Sequence, residues 1–260
     1  MKGFNEWLQF RFKPNRDTAA AFILGLAVIF TSFGLLALPG DAGASRLGYF
    51  FLRDLVMMFG LGFAAPVYYV LFVKKRGFGE LLLTRERWLV SLAVNLALAV
   101  FLVFVFSGWS GPAALIALLS RPAAGPVAYI MTAGIFELVF FYGFMRQQFE
   151  EAFGLGPAIV LTALFYSLHH AGFEPRFVEL FFVGIMYASV YRTTRNALVG
   201  YPFFWGVGAC WDVLVDYGAL ERLQEPGIWL RTAVLLVMMA SFLFWAGRRR
   251  EKIFAAGLPG

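Results

Sequence analysis

The sequence predicts an all-α membrane protein, a polytopic bundle of about eight transmembrane helices forming a single membrane domain over residues 1–260. Three observations carry that prediction. Hydrophobic residues make up 60% of the chain and charged residues only 15%, against about 45–50% and about 25% in a soluble domain. Mean hydropathy is +0.73. The apolar residues are gathered into runs of about 16–22 residues, close to the ~20 that cross a hydrocarbon core of roughly 30 Å.

Each run is bounded by charge, Gly or Pro. The first, 19–39, follows a charged leader and exceeds the about 7–15 apolar residues of a signal-peptide core, so it reads as a retained span. The second, 55–73, stops at Lys74, Lys75 and Arg76. The third, 88–107, begins after Arg87 and carries Asn95, an expected interhelical hydrogen-bond donor. The connection 108–125 contains an apolar stretch bracketed by Pro112 and Pro122, too short to cross, which predicts a surface-lying or re-entrant turn. The fourth run, 124–145, contains AGIFELVFFYGF with Glu137, and the fifth, 156–173, contains LTALFYSLHH with His169 and His170. The sixth, 177–192, is the shortest and has Glu179 near one end. The seventh, 198–216, holds WGVGACWDVLVD with Asp212, and the eighth, 228–246, ends before Arg248, Arg249, Arg250 and Lys252.

Lysine and arginine set the expected orientation. Of the 22 such residues, 16 fall in the odd-numbered extramembrane segments counted from the N-terminus and 6 in the even-numbered ones. By the positive-inside rule both termini are cytoplasmic, in a multi-pass protein of the cell membrane. The net charge of +6 is thereby accounted for by topology, and no nucleic-acid partner is expected. The single cysteine, Cys210, excludes an intramolecular disulfide and reads as a small buried apolar residue.

Ionisable residues within the spans are expensive and hence the functional candidates. They are Glu137, His169, His170 and Asp212; Asp54, Glu179 and Asp216 lie near enough to span ends to snorkel or face headgroups. A rise of about 1.5 Å per residue puts Glu137 roughly 12–18 Å, and His169 and Asp212 each roughly 20 Å, from the cytoplasmic boundary, depths compatible with one buried site. A carboxylate and an imidazole sharing a water would stand roughly 4–6 Å apart and could activate it for hydrolysis. The same pair could equally lock two helices or form a proton or ion path. A zinc site usually needs three protein ligands. Neighbouring helical residues point about 100° apart, so His169 and His170 are not expected on one ion. Glu137, His169 and Asp212 form a conceivable ligand set, but no HExxH-type spacing supports it, and neither metal nor other cofactor is expected.

The stretch FELVFFYGF followed by LTALFYSLHH and a third polar span resembles the CPBP intramembrane proteases, the CAAX-processing and bacteriocin-processing (abortive-infection) family. That family shows E-E-x-x-x-R with F-R-G, then F-x-x-x-H, then H-x-x-x-N/D on successive helices of an eight-span bundle. The resemblance covers about residues 124–218, a core that would carry the catalytic residues. It implies an intramembrane endopeptidase acting on membrane-anchored peptide or protein substrates in the lipid bilayer, prenylated CAAX-type ones among them. Glu137 matches the first glutamate, implied to be the general base acting on water. Phe165 and His169 match F-x-x-x-H, the histidine holding or protonating that water. Asp212 matches the last residue of the third motif, implied to support the oxyanion. Three positions depart: Leu138 replaces the second glutamate, Tyr142 the arginine of F-R-G, and Gly208 the third-motif histidine. His170, Tyr166 and Trp211 are the candidates to supply the lost donor, and Arg146, one turn beyond Tyr142, to supply the arginine. The departures also leave open a catalytically inactive relative serving as an immunity or partner-binding subunit.

Overall fold

The computed structural model describes residues 9–38, 47–106, 121–172, 176–199, 201–215 and 227–255, without the side chains of 106, 121–123, 210–215 and 254–255. Eight helices follow one another over these residues. Helix α1 is Arg16–Leu35 and α2 is Leu47–Val73. After a 3₁₀ turn at Phe78–Leu81 comes α3, Trp88–Phe106. Helix α4 runs from Arg121–Glu137 through a π-helical segment, Leu138–Met145, into Arg146–Phe153. Helices α5 (Leu155–His169), α6 (Phe177–Thr194), α7 (Phe204–Val215) and α8 (Ile228–Ala255) complete the order.

Five helices are long and apolar enough to cross a membrane: α1, α2, α3, α4 and α8. Their burial is uneven, 67% of the apolar window in α4 against 22% in both α3 and α8. Large side chains such as Phe30, Phe101, Val237 and Phe244 stand more than half exposed; in water such surface would be a liability, and against lipid it is not. The protein is therefore an all-helical membrane protein. Two expected runs form shorter helices than the sequence predicts. Run 156–173 is helical only to His169, and run 198–216 only from Phe204, just after Pro202, whose missing N–H suits a turn. The connection predicted to lie on the surface or re-enter, 108–125, falls mostly outside the described residues.

By their contacts the residues fall into two compact units, Met1–Leu82 with Phe136–Thr193 and Met239–Gly260, and Leu83–Ile135 with Thr194–Met238. In the first unit, α1 starts with a capping box. The Asn15 side chain accepts from the Thr18 N–H at 2.9 Å, and Thr18 Oγ1 accepts from the Asn15 N–H at 3.2 Å, satisfying donors that a helix start leaves orphaned. Phe22 of α1 then packs on Phe149 and Phe165, ring centroids 4.8 and 5.7 Å away. Gly154 turns α4 into α5 at φ +90°, and a Cβ there would stand 2.1 Å from the Gln9 carbonyl oxygen. The segment before α1 lies against this turn, Arg11 N–H and Lys13 N–H donating to Phe153 and Ala152 carbonyls at 3.0 and 2.9 Å.

Charges at the same end are gathered rather than scattered. Lys74 Nζ donates to Gln148 Oε1 at 2.8 Å and pairs with Asp17 at 3.2 Å and with Glu80 and Glu151 at 3.6 Å. Arg146 is buried, not snorkelling: its Nε donates to the Tyr142 carbonyl at 2.9 Å, and its guanidinium binds Glu150, which Arg192 also holds at 2.7 Å. Asp54, placed by the sequence near a span end, is fully buried inside α2 and paired at 3.2 Å with its buried neighbour Arg53. Pairing is what makes burial of both charges tolerable.

In the second unit, among the described residues, the amide of Asn95 donates within its own helix, to Ser91 O one turn back at 2.8 Å, rather than to a neighbouring helix. The long-range bond comes from Ser91, whose hydroxyl donates to the Asn196 carbonyl at 2.8 Å. Asn196 in turn donates to the carbonyls of Thr84 and Glu86 at 2.7 and 2.8 Å. Helices α4 and α7 approach closely where a Cβ at Gly134 would stand 2.2 Å from the Trp205 ring, and Gly206 meets Met131. Small residues at both positions let the two helices approach closely.

Candidate functional site

Two helix ends build the site, both within the first unit. Glu137 is the last α-helical residue of α4 before the helix widens into the π segment. Such wide turns are rare and are found disproportionately at functional sites. The widening sits on the run LVFFYGFM, every side chain of which is buried. At Gly143 within it, a Cβ would stand 2.9 Å from the Leu81 carbonyl oxygen. Glu137 itself is 8% exposed.

The other end is that of α5. Its 15 residues rise about 22 Å, less than the roughly 30 Å of a hydrocarbon core. A helix leaves its last four carbonyls without intrahelical partners. Here the cap tightens, the His170 N–H turning to the Ser167 and Leu168 carbonyls. That leaves the Tyr166 carbonyl to two side chains: His169 Nδ1 donates to it, and His170 Nδ1 donates to it at 2.9 Å. One acceptor three residues behind the first ring and four behind the second draws both imidazoles onto the same turn, with centroids 3.9 Å apart.

This corrects the expectation that adjacent histidines point apart. His169 Nε2 lies 3.6 Å and His170 Nε2 3.7 Å from the same atom, Glu137 Oε1. One ligand-type atom from each of Glu137, His169 and His170 lies within 4.8 Å of the others, and all three residues are buried. The Glu137–His169 separation is shorter than the roughly 4–6 Å anticipated for a shared water. In a neutral imidazole whose Nδ1 carries the proton, Nε2 is the lone-pair nitrogen, and in both rings it is Nε2 that faces the carboxylate. Among the described residues, this set is also the one that could hold a metal ion.

Aromatic rings wall the site. His169 packs on Phe136 and Phe141 at 5.6 and 4.6 Å, and Tyr166 packs on His170 at 4.8 Å. Tyr142 is fully buried in a tyrosine cluster, 5.7, 5.9 and 5.5 Å from the rings of Tyr166, Tyr187 and Tyr191. Phe165 lies among Phe22 and Phe149 in the packing core. Just past His170, a Cβ at Gly172 would stand 1.8 Å from the Ser32 carbonyl oxygen, and the Gly172 N–H donates to Ser32 Oγ at 3.0 Å; this fixes the loop that carries the second imidazole. Asp212 lies on α7 in the second unit, its side chain, like that of Trp211, outside the described residues. The Tyr166 carbonyl is the participant that residue types alone missed. Its signal was positional: two histidines three and four residues after one carbonyl at a helix end.

Residues 119–207 match the family model of the Rce1-like proteins, type II CAAX prenyl endopeptidases, which is the CPBP family whose motifs the sequence resembles. The match spans Glu137, His169 and His170 and ends before Gly208 and Asp212. No curated protein and no solved structure matches the chain.

Proposed function

We propose that the protein is an intramembrane endopeptidase of glutamate type, hydrolysing peptide bonds near the lipid anchor of membrane-bound, CAAX-type prenylated substrates. The observation that carries the proposal is the convergence of two imidazole Nε2 atoms on one buried carboxylate oxygen, at 3.6 and 3.7 Å, within the residues that match the family model. Atoms that close can both touch one water at about 2.8 Å each. Glu137 takes a proton from that water, while a histidine Nε2 accepts its second hydrogen and holds it in place. The resulting hydroxide attacks the scissile carbonyl. The C–N bond then breaks as Glu137 returns its proton to the departing amine. His170 stands as close to Glu137 as His169 does, and so supplies the second imidazole that the motif loses at Gly208. Asp212 enters this reading on the resemblance alone, as oxyanion support.

The test is cleavage of a prenylated, membrane-anchored CAAX peptide by the purified chain in bilayers. Glu137→Gln should lower the rate by about 10²–10⁴-fold, the range for losing a general base, with membrane abundance unchanged. Undiminished cleavage by both Glu137→Gln and His169→Ala ends the proposal. The departures at Leu138, Tyr142 and Gly208 favour a second reading, a non-catalytic partner-binding subunit. On that reading the biological phenotype survives Glu137→Gln.

A further inference from the structure

We propose that the C-terminal end of α8 binds one anionic phospholipid, its phosphate held by Arg248, Arg249 and Lys252 and its acyl chains laid on Phe244 and Trp245. These five residues line an open groove of about 510 Å³. Phe244, Arg248 and Lys252 follow one another at intervals of four along the helix, and Trp245 and Arg249 do so beside them, so rings and cations share one face. The rings come first, where α8 is still apolar, and remain 62% and 41% exposed. Each guanidinium lies over a ring, Arg248 4.3 Å from that of Phe244 and Arg249 5.5 Å from that of Trp245. Stacking of this kind restrains the long side chains and leaves their N–H edges to bond an anion. The platform beneath is fixed within the same unit. Trp245 packs on Phe72 of α2 at 5.8 Å, a Cβ at Gly247 would stand 4.0 Å from the Phe78 ring, and Arg250 reaches to 3.9 Å from the Cβ position of Gly77.

Pairing elsewhere in the unit sets these cations apart. Lys74 meets Asp17, Glu80 and Glu151, Arg76 meets Glu80, and Arg146 and Arg192 share Glu150. Among the described residues, Arg248, Arg249 and Lys252 have no carboxylate partner, and Glu251, the one acidic residue of α8, does not line the groove. Like charges gathered on one face repel, and an anion among them relieves the repulsion. Guanidinium forks fit phosphate oxygens, and an ammonium adds a point charge. The exposed rings select a lipid over a soluble phosphate, because only a lipid brings apolar chains next to its phosphate. Basic residues directly following a membrane-spanning helix are placed where anionic headgroups lie.

This inference uses no residue of the proposed peptidase centre and stands whether or not the protein cleaves peptides. Full-length protein in a nonionic detergent is mixed with phosphatidylglycerol or with phosphatidylcholine of the same acyl chains, and native mass spectrometry counts the lipids retained. The expected result is one phosphatidylglycerol per chain, retained at concentrations at least about tenfold lower than phosphatidylcholine, since each basic residue is worth about fivefold in attraction to an anionic headgroup. The triple variant Arg248→Gln, Arg249→Gln, Lys252→Gln should lose that preference. A control triple, Arg11→Gln, Lys13→Gln, Lys75→Gln, removes the same charge from exposed positions outside the groove and should keep it within twofold. Phosphatidylglycerol with a photoreactive acyl chain should attach to wild-type protein between Phe244 and Lys252, which needs no variant to fold. Equal retention of the two lipids, equal loss in both triple variants, or adducts confined to other helices would overturn the site. Displacement of the lipid by soluble glycerol phosphate at equal concentration would also overturn it, as the mark of a phosphate site that makes no use of the rings.

Discussion

At the level of single residues, burial separates the polar groups that hold the protein together from those poised to react. Arg146 shows the first kind. Its guanidinium is spent on the Tyr142 carbonyl and on Glu150, a carboxylate shared with Arg192. Breaking a buried pair costs about 3–5 kcal/mol when the partner is stranded. Arg192 keeps Glu150 company, so Arg146→Met should cost less than that, and the double variant with Arg192→Met should cost more than the sum, by about 0.5–3 kcal/mol of coupling. Denaturant unfolding of the four-member cycle measures it, and additive costs would show that the two arginines act independently. Glu137 and the histidines show the second kind, a buried carboxylate and two buried imidazoles with ligand-type atoms within 4.8 Å of one another. The pairing of Glu137 with His169 was legible in the sequence from their order and depth. The contribution of His170 was not, because the argument from 100° per residue holds inside a helix, and His170 caps one. Once the backbone tightens at the cap, the side chains compete for the carbonyls it releases. Asp54 misled for a related reason: distance from a span end says nothing of a neighbouring arginine able to accompany it into the core.

At the level of elements, the site depends on how closely α2 and α4 approach. A Cβ at Gly62 in α2 would stand 2.0 Å from the Phe136 ring, and Phe136 is both the residue before Glu137 and a wall of His169, at 5.6 Å. Gly62→Ala should therefore displace that ring. Overpacking of this sort costs about 1–3 kcal/mol, and here it should also disturb the geometry of the site. Adding Phe136→Leu should recover part of the stability, whereas a Gly62→Ala protein as stable as wild type would show that the ring can move aside freely. A second element-scale case is Gly154, where φ is +90° and the Gln9 carbonyl occupies the space of a Cβ. Gly154→Ala should lower stability by about 1–3 kcal/mol through backbone strain and release the segment before α1, seen as faster amide exchange at Arg11 and Lys13. Helix existence was readable from hydropathy, since each of the eight runs holds a helix among the described residues, five of them long and apolar enough to cross a membrane. Helix ends were less so. The run 198–216 is apolar to its start, yet the helix begins only after Pro202, because hydropathy measures partition into lipid and not the availability of backbone donors. The π segment of α4 left no trace in a pattern built on 3.6 residues per turn.

At the level of the whole molecule, the charge distribution makes a claim about direction. The cluster of Lys74 with Asp17, Glu80 and Glu151 and the basic end of α8 both belong to the first unit. Arg248 and Arg249 lie over the rings of Phe244 and Trp245 at 4.3 and 5.5 Å, the aromatic and basic pairing that anchors helix ends at the headgroup level. With 16 of 22 basic residues in segments assigned to one side, the prediction is that both termini face the cytoplasm. Because orientation follows Lys and Arg near span ends, a reporter fused after α8 that is active only outside the cytoplasm should be silent, and one that fluoresces only in the cytoplasm should be bright. The same predicted orientation bears on how the site is reached. The site lies at the C-terminal end of α5, about 21 Å along the axis from Leu155, so a reactive cysteine probe introduced at the loop following His170 should be labelled more slowly from the cytoplasmic face than one placed beside Gly154. Equal labelling at the two positions would mean that the histidines sit at a membrane surface and not within the bilayer.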